Sequence, residues 1–210
     1  HLNSFWHQYY ARLFDLFCTT QKGWMGWFAA RGIPSPVWLP WFGPGRRRAP
    51  WDGRHDMVFV GRLTKERPVR SWFVSWLERL GELHVRQDLG FAAMLDLYDR
   101  SRLVPNESIF GEINFRLFEA ASCGCAVLNP AVAGLDELFV PGEEVAVYHD
   151  GAELASWVRR LRDDDMLARS MGLRAWERVR REHLARHRAG ALLQAASGLT
   201  RCAATGQAAD

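Results

Sequence analysis

The chain has 210 residues, is 48% hydrophobic and 12% aromatic, and sets 27 basic against 24 acidic side chains for a formal charge of +3. That is apolar material enough for a sizeable core, and its arginines alternate with acids over the last third, which fits solvated helix faces and excludes a massed nucleic-acid groove. No run approaches the roughly eighteen consecutive apolar residues of a membrane span, so no integral membrane segment is expected. Nor does a basic-then-apolar leader open the sequence. Cysteines at 18, 123, 125 and 202 make no disulfide framework, and Cys123 and Cys125 are too close for ordinary bridge geometry, which points to a reducing, cytoplasmic setting.

The opening HLNSFWHQYYARLFDLF enters in aromatic-rich sequence at His1 with no cap, as a chain joined midway. From Leu13 the pattern predicts strand (LFDLFCTT), helix (QKGWMGWFAARG, stopping at Gly32) and strand (PVWLP), one βαβ unit over residues 1–40. Residues 41–55 crowd prolines, glycines and Arg46-Arg47-Arg48 together, a composition that breaks both regular structures and reads as a linker. Strand and helix then alternate: MVFVG, then PVRSWFVSWLERLG with Val69, Trp72, Phe73, Trp76, Leu77 and Leu80 on one apolar face. LHVR, FAAMLDLYDRS and SRLVPN follow as strand, helix and strand. A helix from Phe110 carries Glu112, Arg116 and Glu119 on a single stripe before the strand CAVLNP. A short helical turn at 134–139, a strand in EEVAVYH and a helical region over 151–196, with a kink near Glu182, complete the domain at 56–196. The tail 197–210 lacks periodicity and is expected to be disordered.

Such alternation describes an α/β fold with a parallel sheet wrapped by helices, in which ligands bind beyond the carboxyl ends of the strands. Three loops lie there. Gly61 to Arg67 brings Arg62, Lys65 and Arg67; Asn106 to Gly111 leads into the Glu119 helix; Ala131 to Leu135 contains Gly134. Meeting at one crevice, they would offer cations and backbone amides to a pyrophosphate and a carboxylate to hydroxyl groups.

The run Asn114-x-Arg116-x-x-Glu119-Ala120-x-x-Cys123-Gly124, followed by an apolar strand and by Gly134-Leu135-x-Glu137-Leu138-Phe139-x-Pro141-Gly142-x-Glu144, resembles the C-terminal donor domain of GT-B glycosyltransferases. Within them it is most similar to the spore maturation protein B (CgeB-like) group, over about residues 56–195. Residues 1–40 look like the last βαβ unit of that family's N-terminal domain, most of which is absent from the sequence. The resemblance implies a Rossmann-like doubly wound parallel sheet and transfer of a sugar from a nucleoside diphosphate sugar, used as substrate, to an acceptor glycan, protein or small molecule. It implies no metal and no separate cofactor. By position in the motif, Glu119 matches the acceptor of the ribose hydroxyls, with Gly61, Asn106, Gly111, Asn114, Arg116, Gly134 and Leu135 around the donor. Arg62 and Lys65, with Arg67 as substitute, match the cations that neutralise the leaving diphosphate. Where many retaining relatives carry a first glutamate this chain has Gly111, and Glu112, seven positions before Glu119, is the nearest replacement.

Plainer readings stand beside these. Glu112, Arg116 and Glu119 also suit a surface ladder of ion pairs. Cys123-Gly124-Cys125 suits tight packing of a helix end on the next strand, and His183 and His187 lack the third ligand of a zinc site. The arginine triplet suits a solvated loop, and Trp38, Trp41 and Trp51 are placed to touch a ligand. A non-catalytic, nucleotide-sugar-binding or structural module of the same fold, and a nucleotide-sugar epimerase, are the alternative functions.

Overall fold

The computed structural model describes residues 9–33, 36–47 and 54–206. The readings placed on residues 1–8, Arg48, Trp51 and 207–210 lie outside the described residues. Strand β1 (Cys18–Thr19) pairs in parallel with β2 (Val37–Trp38), and between them come a 3-10 turn (Lys22–Trp24) and helix α1 (Met25–Ala30). The pairing is shorter than the apolar run from Leu13 suggested. Prolines 36 and 40 bracket β2, and a residue without an N–H cannot extend a ladder.

The larger unit is a five-stranded parallel sheet in the order β4-β3-β5-β6-β7, built from β3 (His55–Val60), β4 (Leu83–Arg86), β5 (Ser101–Pro105), β6 (Ala126–Pro130) and β7 (Ala146–Tyr148). Its helices are α2 (Pro68–Leu77), α3 (Phe91–Tyr98), α4 (Phe115–Ser122), α5 (Leu135–Leu138), α6 (Gly151–Asp163), α7 (Asp165–Glu182) and α8 (Ala185–Gly206). Alternate strand residues feed two cores. Met57, Phe59, Leu103 and Leu128 pack with Phe73, Leu77, Leu154 and Val158 on one face. Val58, Val104 and Val127 pack with Leu95, Tyr98, Leu117 and Phe118 on the other. Both faces are therefore covered, as the continuous apolar strands require. The chain leaves β3 toward β4 and returns to β5 on the opposite side, so order reverses between β3 and β5. The loops after those two strands diverge and open a crevice there.

Helix α7 serves both cores, with Ala168 and Met171 in one and Ala175 and Val179 in the other. Gly172 makes this crossing possible, because a Cβ at that position would sit 2.0 Å from the Gly124 carbonyl oxygen.

The structure departs from the sequence reading in four places that matter for the site. In α2 the buried residues are Phe73, Val74 and Leu77, whereas Val69 and Trp72 are exposed. The stripe is rotated so that Arg70, three residues before Phe73, turns inward. Helix α4 starts at Phe115, not Phe110, so Glu112 is not on the helical face of Arg116 and Glu119. Gly111, at φ +68°, turns the chain left-handed, and the Glu112 N–H is taken by Ser108 Oγ at 2.7 Å rather than by a helical carbonyl. The helical region after Gly151 breaks at Asp164 as well as near Glu182, since the Asp164 side chain caps α7 by accepting from Leu167 N at 2.9 Å. The tail continues as helix α8 to Gly206.

Candidate functional site

A cavity of about 430 Å³ opens at the β3/β5 crevice. Its floor is the end of β3 at Val60 and the loop after β5. One wall comes from α3 (Met94, Tyr98) and α4 (Phe115, Arg116, Glu119), and the mouth is closed from the other side by Thr20, Gln21 and Trp41. The Trp41 indole stacks on the Phe115 ring with centroids 4.0 Å apart.

Beneath the cavity lies a network of buried charge. Arg116 donates through Nη1 to Asn106 Oδ1 at 2.7 Å and through Nη2 to the Val60 carbonyl at 2.9 Å, and its guanidinium lies over the Phe59 ring at 4.5 Å. Arg70 donates through Nε to Glu107 Oε1 at 2.7 Å, and Arg116 Nη1 stands 3.8 Å from the same oxygen. Two guanidiniums thus share one carboxylate of which only 7% is exposed. Charges this far from water hold together only when paired and hydrogen-bonded. Asn106 organises the rest: its Nδ2 donates to Asn129 Oδ1 at 2.6 Å and to Asn114 Oδ1 at 3.0 Å, and its carbonyl accepts from the Tyr148 hydroxyl at 2.6 Å. Asn114 Nδ2 in turn donates to the Glu107 carbonyl at 2.9 Å, which fixes the loop against the start of α4.

Glu119 is the exception. It is half-buried, lines the cavity, and among the described residues accepts no hydrogen bond. Burial raises its pKa above the ordinary carboxylate value, and the nearby Arg116 opposes that rise. The Tyr98 hydroxyl and Glu107 Oε2, in two other lining residues, are also buried without a partner among the described residues. Buried polar atoms are normally paired.

Of the sequence-derived site residues, Glu112, Asn114, Arg116 and Glu119 line this cavity. Glu112 does so from the loop, its carboxylate accepting from Phe110 N at 2.8 Å and Ser108 Oγ at 3.0 Å. Asn106 lies beneath, fully buried. Gly61 abuts the guanidiniums of Arg116 and Arg70, and Gly111 is exposed at the turn before Glu112. Arg62, Lys65 and Arg67 do not line the cavity: all three are exposed in the loop after β3, and Arg62 is engaged by Asp88, Nε to Oδ1 at 2.7 Å. Gly134 and Leu135 are not in this cavity. Gly134 abuts Lys22 and Trp38, and Leu135 helps line a separate hollow of about 380 Å³ formed by the loop after β6 with Pro141 and Val147. Two of the three loops meet, therefore, and the third faces the β1–β2 unit, to which the Lys22–Glu137 ion pair ties it.

Sequence reasoning passed over Arg70, Glu107 and Tyr98. The signal for Arg70 was present: at 70, 73, 74 and 77 the i, i+3, i+4, i+7 positions begin with arginine. Other motifs resolve as packing or anchoring. Cys125 Sγ donates to the Tyr98 carbonyl at 3.1 Å and Cys123 Sγ to that of Leu95 at 3.6 Å, both thiols pushed up in pKa by burial. His183 is buried against the Leu138 carbonyl at 2.7 Å, whereas His187 Nδ1 accepts from Leu184 N at 2.9 Å. Arg46, read as part of a solvated loop, instead pairs with Asp99 (Nε to Oδ2, 2.9 Å) and with Asp96.

No curated protein is significantly similar in sequence. Among solved structures the chain resembles TarM (TM-score 0.74, 11% identity, 90% of this chain and 45% of that one). It also resembles the sucrose-phosphate synthase of Thermosynechococcus elongatus (0.68, 16%, 93% and 61%) and Anabaena HepE crystallised with UDP (0.65, 15%, 90% and 65%). The chain thus spans between about half and two thirds of the length of these proteins, whose shared architecture is GT-B. At such identities the likeness is one of fold, a Rossmann-like α/β domain. A family model described as glycosyl transferase-like matches residues 50–194, which take in the whole five-stranded sheet and the cavity residues on α3 and α4, and the chain belongs to that family.

Proposed function

We propose that this chain supplies the donor-binding half of a glycosyltransferase, holding a nucleoside diphosphate sugar in the β3/β5 crevice for transfer to an acceptor glycan, protein or small molecule. The observation that carries the reading is Glu119: a half-buried carboxylate without a hydrogen-bond partner among the described residues, beside a guanidinium, at the point where an open α/β sheet binds ligands. A carboxylate so placed accepts from two vicinal hydroxyls, as a ribose presents. The diphosphate then lies toward the β3 loop, where Arg70 and Arg116 are fixed below and Arg62, Lys65 and Arg67 are exposed in the loop itself. Charge that builds on the leaving diphosphate is stabilised there more in the transition state than before it. Arg62 and Lys65 are assigned that catalytic part, with Arg62 exchanging Asp88 for phosphate. Glu112 is assigned to the sugar end. Uridine is the first base to try, because HepE was crystallised with UDP and TarM with UDP as well.

The test is calorimetric titration with UDP, TDP and GDP and with their glucose conjugates, with and without EDTA, followed by chromatography for released diphosphate. The reading expects saturable binding of at least one diphosphate, indifferent to EDTA. Absence of binding across the panel contradicts it. Binding with no transfer or hydrolysis in the presence of acceptor extracts favours the second reading, a non-catalytic module, to which Gly111 in place of a first glutamate and the Arg62–Asp88 pair lend support. Inversion at a sugar carbon without transfer would instead identify an epimerase.

A further inference from the structure

Trp41 reaches the cavity from the segment that joins the two sheets, and three features at the α7–α8 junction hold that segment in place. Arg188 donates through Nε to the Pro40 carbonyl at 2.9 Å and the Trp41 carbonyl at 3.0 Å. Its Nη2 donates to His183 Nδ1 at 3.0 Å, and the other nitrogen of that buried ring donates to the Leu138 carbonyl at 2.7 Å. Two residues on, Gly43 N donates to the His183 carbonyl at 2.8 Å, and a Cβ there would come within 2.3 Å of Ser122 Oγ, so the chain passes with no slack. The side chain that grips the carbonyls on either side of the Trp41 Cα therefore decides where the indole lies.

We infer that Arg188 is a positioning residue for donor binding: it acts through Trp41, whose stacking on Phe115 closes one wall of the cavity. The inference rests on the reading of this cavity as the donor site. Among the described residues, the hydrogen bonds of Arg188 meet the cavity lining at the Trp41 backbone alone; its guanidinium also stands 5.9 Å from the Phe118 ring on α4, a contact that the Trp41 variants leave in place and so separate from the indole. One guanidinium N–H is shared by the two carbonyls while Nη1 and Nη2 hold the Glu182 carbonyl and His183, a planar set of donors that the single ammonium of lysine matches only in part.

Two measurements test it, and the first needs no donor. In chain labelled with 5-fluorotryptophan, the Trp41 resonance is assigned by its loss in Trp41→Phe. Arg188→Gln is expected to shift or broaden that resonance and to leave those of Trp24 and Trp27, which pack in a separate cluster, unmoved. Arg188→Lys is expected to give an intermediate effect, and it serves as the test if Arg188→Gln does not fold. An unchanged Trp41 resonance overturns the inference. The second measurement is a double-mutant cycle in UDP affinity. Trp41→Ala and Arg188→Gln each weaken binding about fivefold, the scale of one aromatic contact. The double variant then matches Trp41→Ala to within about twofold, the ordinary limit of additivity. A multiplicative loss of about 25-fold shows that Arg188 acts independently of Trp41, against the inference. If the parent chain binds no diphosphate, the donor reading fails, and the fluorine spectrum still decides whether Arg188 sets the indole.

Discussion

Replacing Arg116 by methionine separates the two duties assigned to that side chain. The guanidinium leaves two hydrogen-bond acceptors and one ion-pair partner behind, and they fare differently. Asn106 Oδ1 keeps the Asn114 Nδ2 hydrogen bond at 3.1 Å, and Glu107 keeps Arg70, but the Val60 carbonyl loses its 2.9 Å donor at the end of a buried strand. One orphaned acceptor costs about 1–3 kcal/mol, and methionine refills most of the apolar volume over Phe59. A net loss near 2 kcal/mol lowers the melting temperature by about 4–8 °C in a chain of this size. Donor binding suffers separately. A charge-assisted hydrogen bond contributes about 1.5–3 kcal/mol, so UDP affinity falls roughly 10- to 100-fold. Differential scanning calorimetry and titration of Arg116→Met beside Arg116→Lys read both effects. A melting temperature within about 1 °C of the parent would refute the buried network. Affinity unchanged in a folded variant would remove Arg116 from the donor site.

Gly172→Ala puts a Cβ 2.0 Å from the Gly124 oxygen and 2.7 Å from its carbonyl carbon, both backbone atoms, so α7 has to shift. A loss of about 1–3 kcal/mol in urea unfolding is expected; a gain, as helix propensity alone favours by about 1 kcal/mol, would show that α7 does not cross so closely. Burial, and then the facing Arg188, lowers the pKa of His183 below its ordinary 6.5, whereas the Leu138 carbonyl and Glu182 act the other way. Its ring stays neutral in the fold while the unfolded chain takes up a proton, so this contribution is complete above pH 6.5 and is lost as pH falls below it. Between pH 7.5 and 5.5 the parent should lose up to about 1.4 kcal/mol more stability than His183→Asn; an equal or smaller loss contradicts the single tautomer. Arg62→Gln breaks an ion pair whose partners are 74% and 65% exposed, so stability should move by less than about 0.5 kcal/mol. UDP affinity should fall nonetheless, and if it does not, the diphosphate is held by Arg70 and Arg116 alone.

Element order was legible because the central strands carry short apolar runs, MVFV, LV and AVL, each ended by glycine, proline or asparagine and separated by segments of helical periodicity. The resemblance picked out Glu119, Arg116 and Asn114, and all three line one cavity. What failed depended on partners distant in sequence. The rotation of α2 is set by the pairing of Arg70 with Glu107, 37 positions away, and a hydrophobic count treats an inward arginine as noise. Arg46 is held by Asp96 on α3 and by Asp99 just past its end, which composition could not place beside a glycine- and proline-rich segment. The early start given to α4 overlooked Gly111, whose left-handed turn explains why Glu112 reaches the cavity from a loop. The break at Asp164 did carry a local signal, three consecutive aspartates within a helical region, since a short carboxylate side chain caps a new helix better than it continues an old one.

The most direct measurement is titration of UDP and UDP-glucose into the parent chain, Glu119→Gln and Glu119→Ala, with melting temperatures taken alongside. Glu119 holds no described partner, so neither variant should lose stability, and relief of a half-buried charge should hold or raise the melting temperature. Both should bind the nucleotide at least tenfold more weakly, since each loses the ionised acceptor for vicinal hydroxyls. Stable variants with parental affinity would contradict the claim that this carboxylate holds the donor.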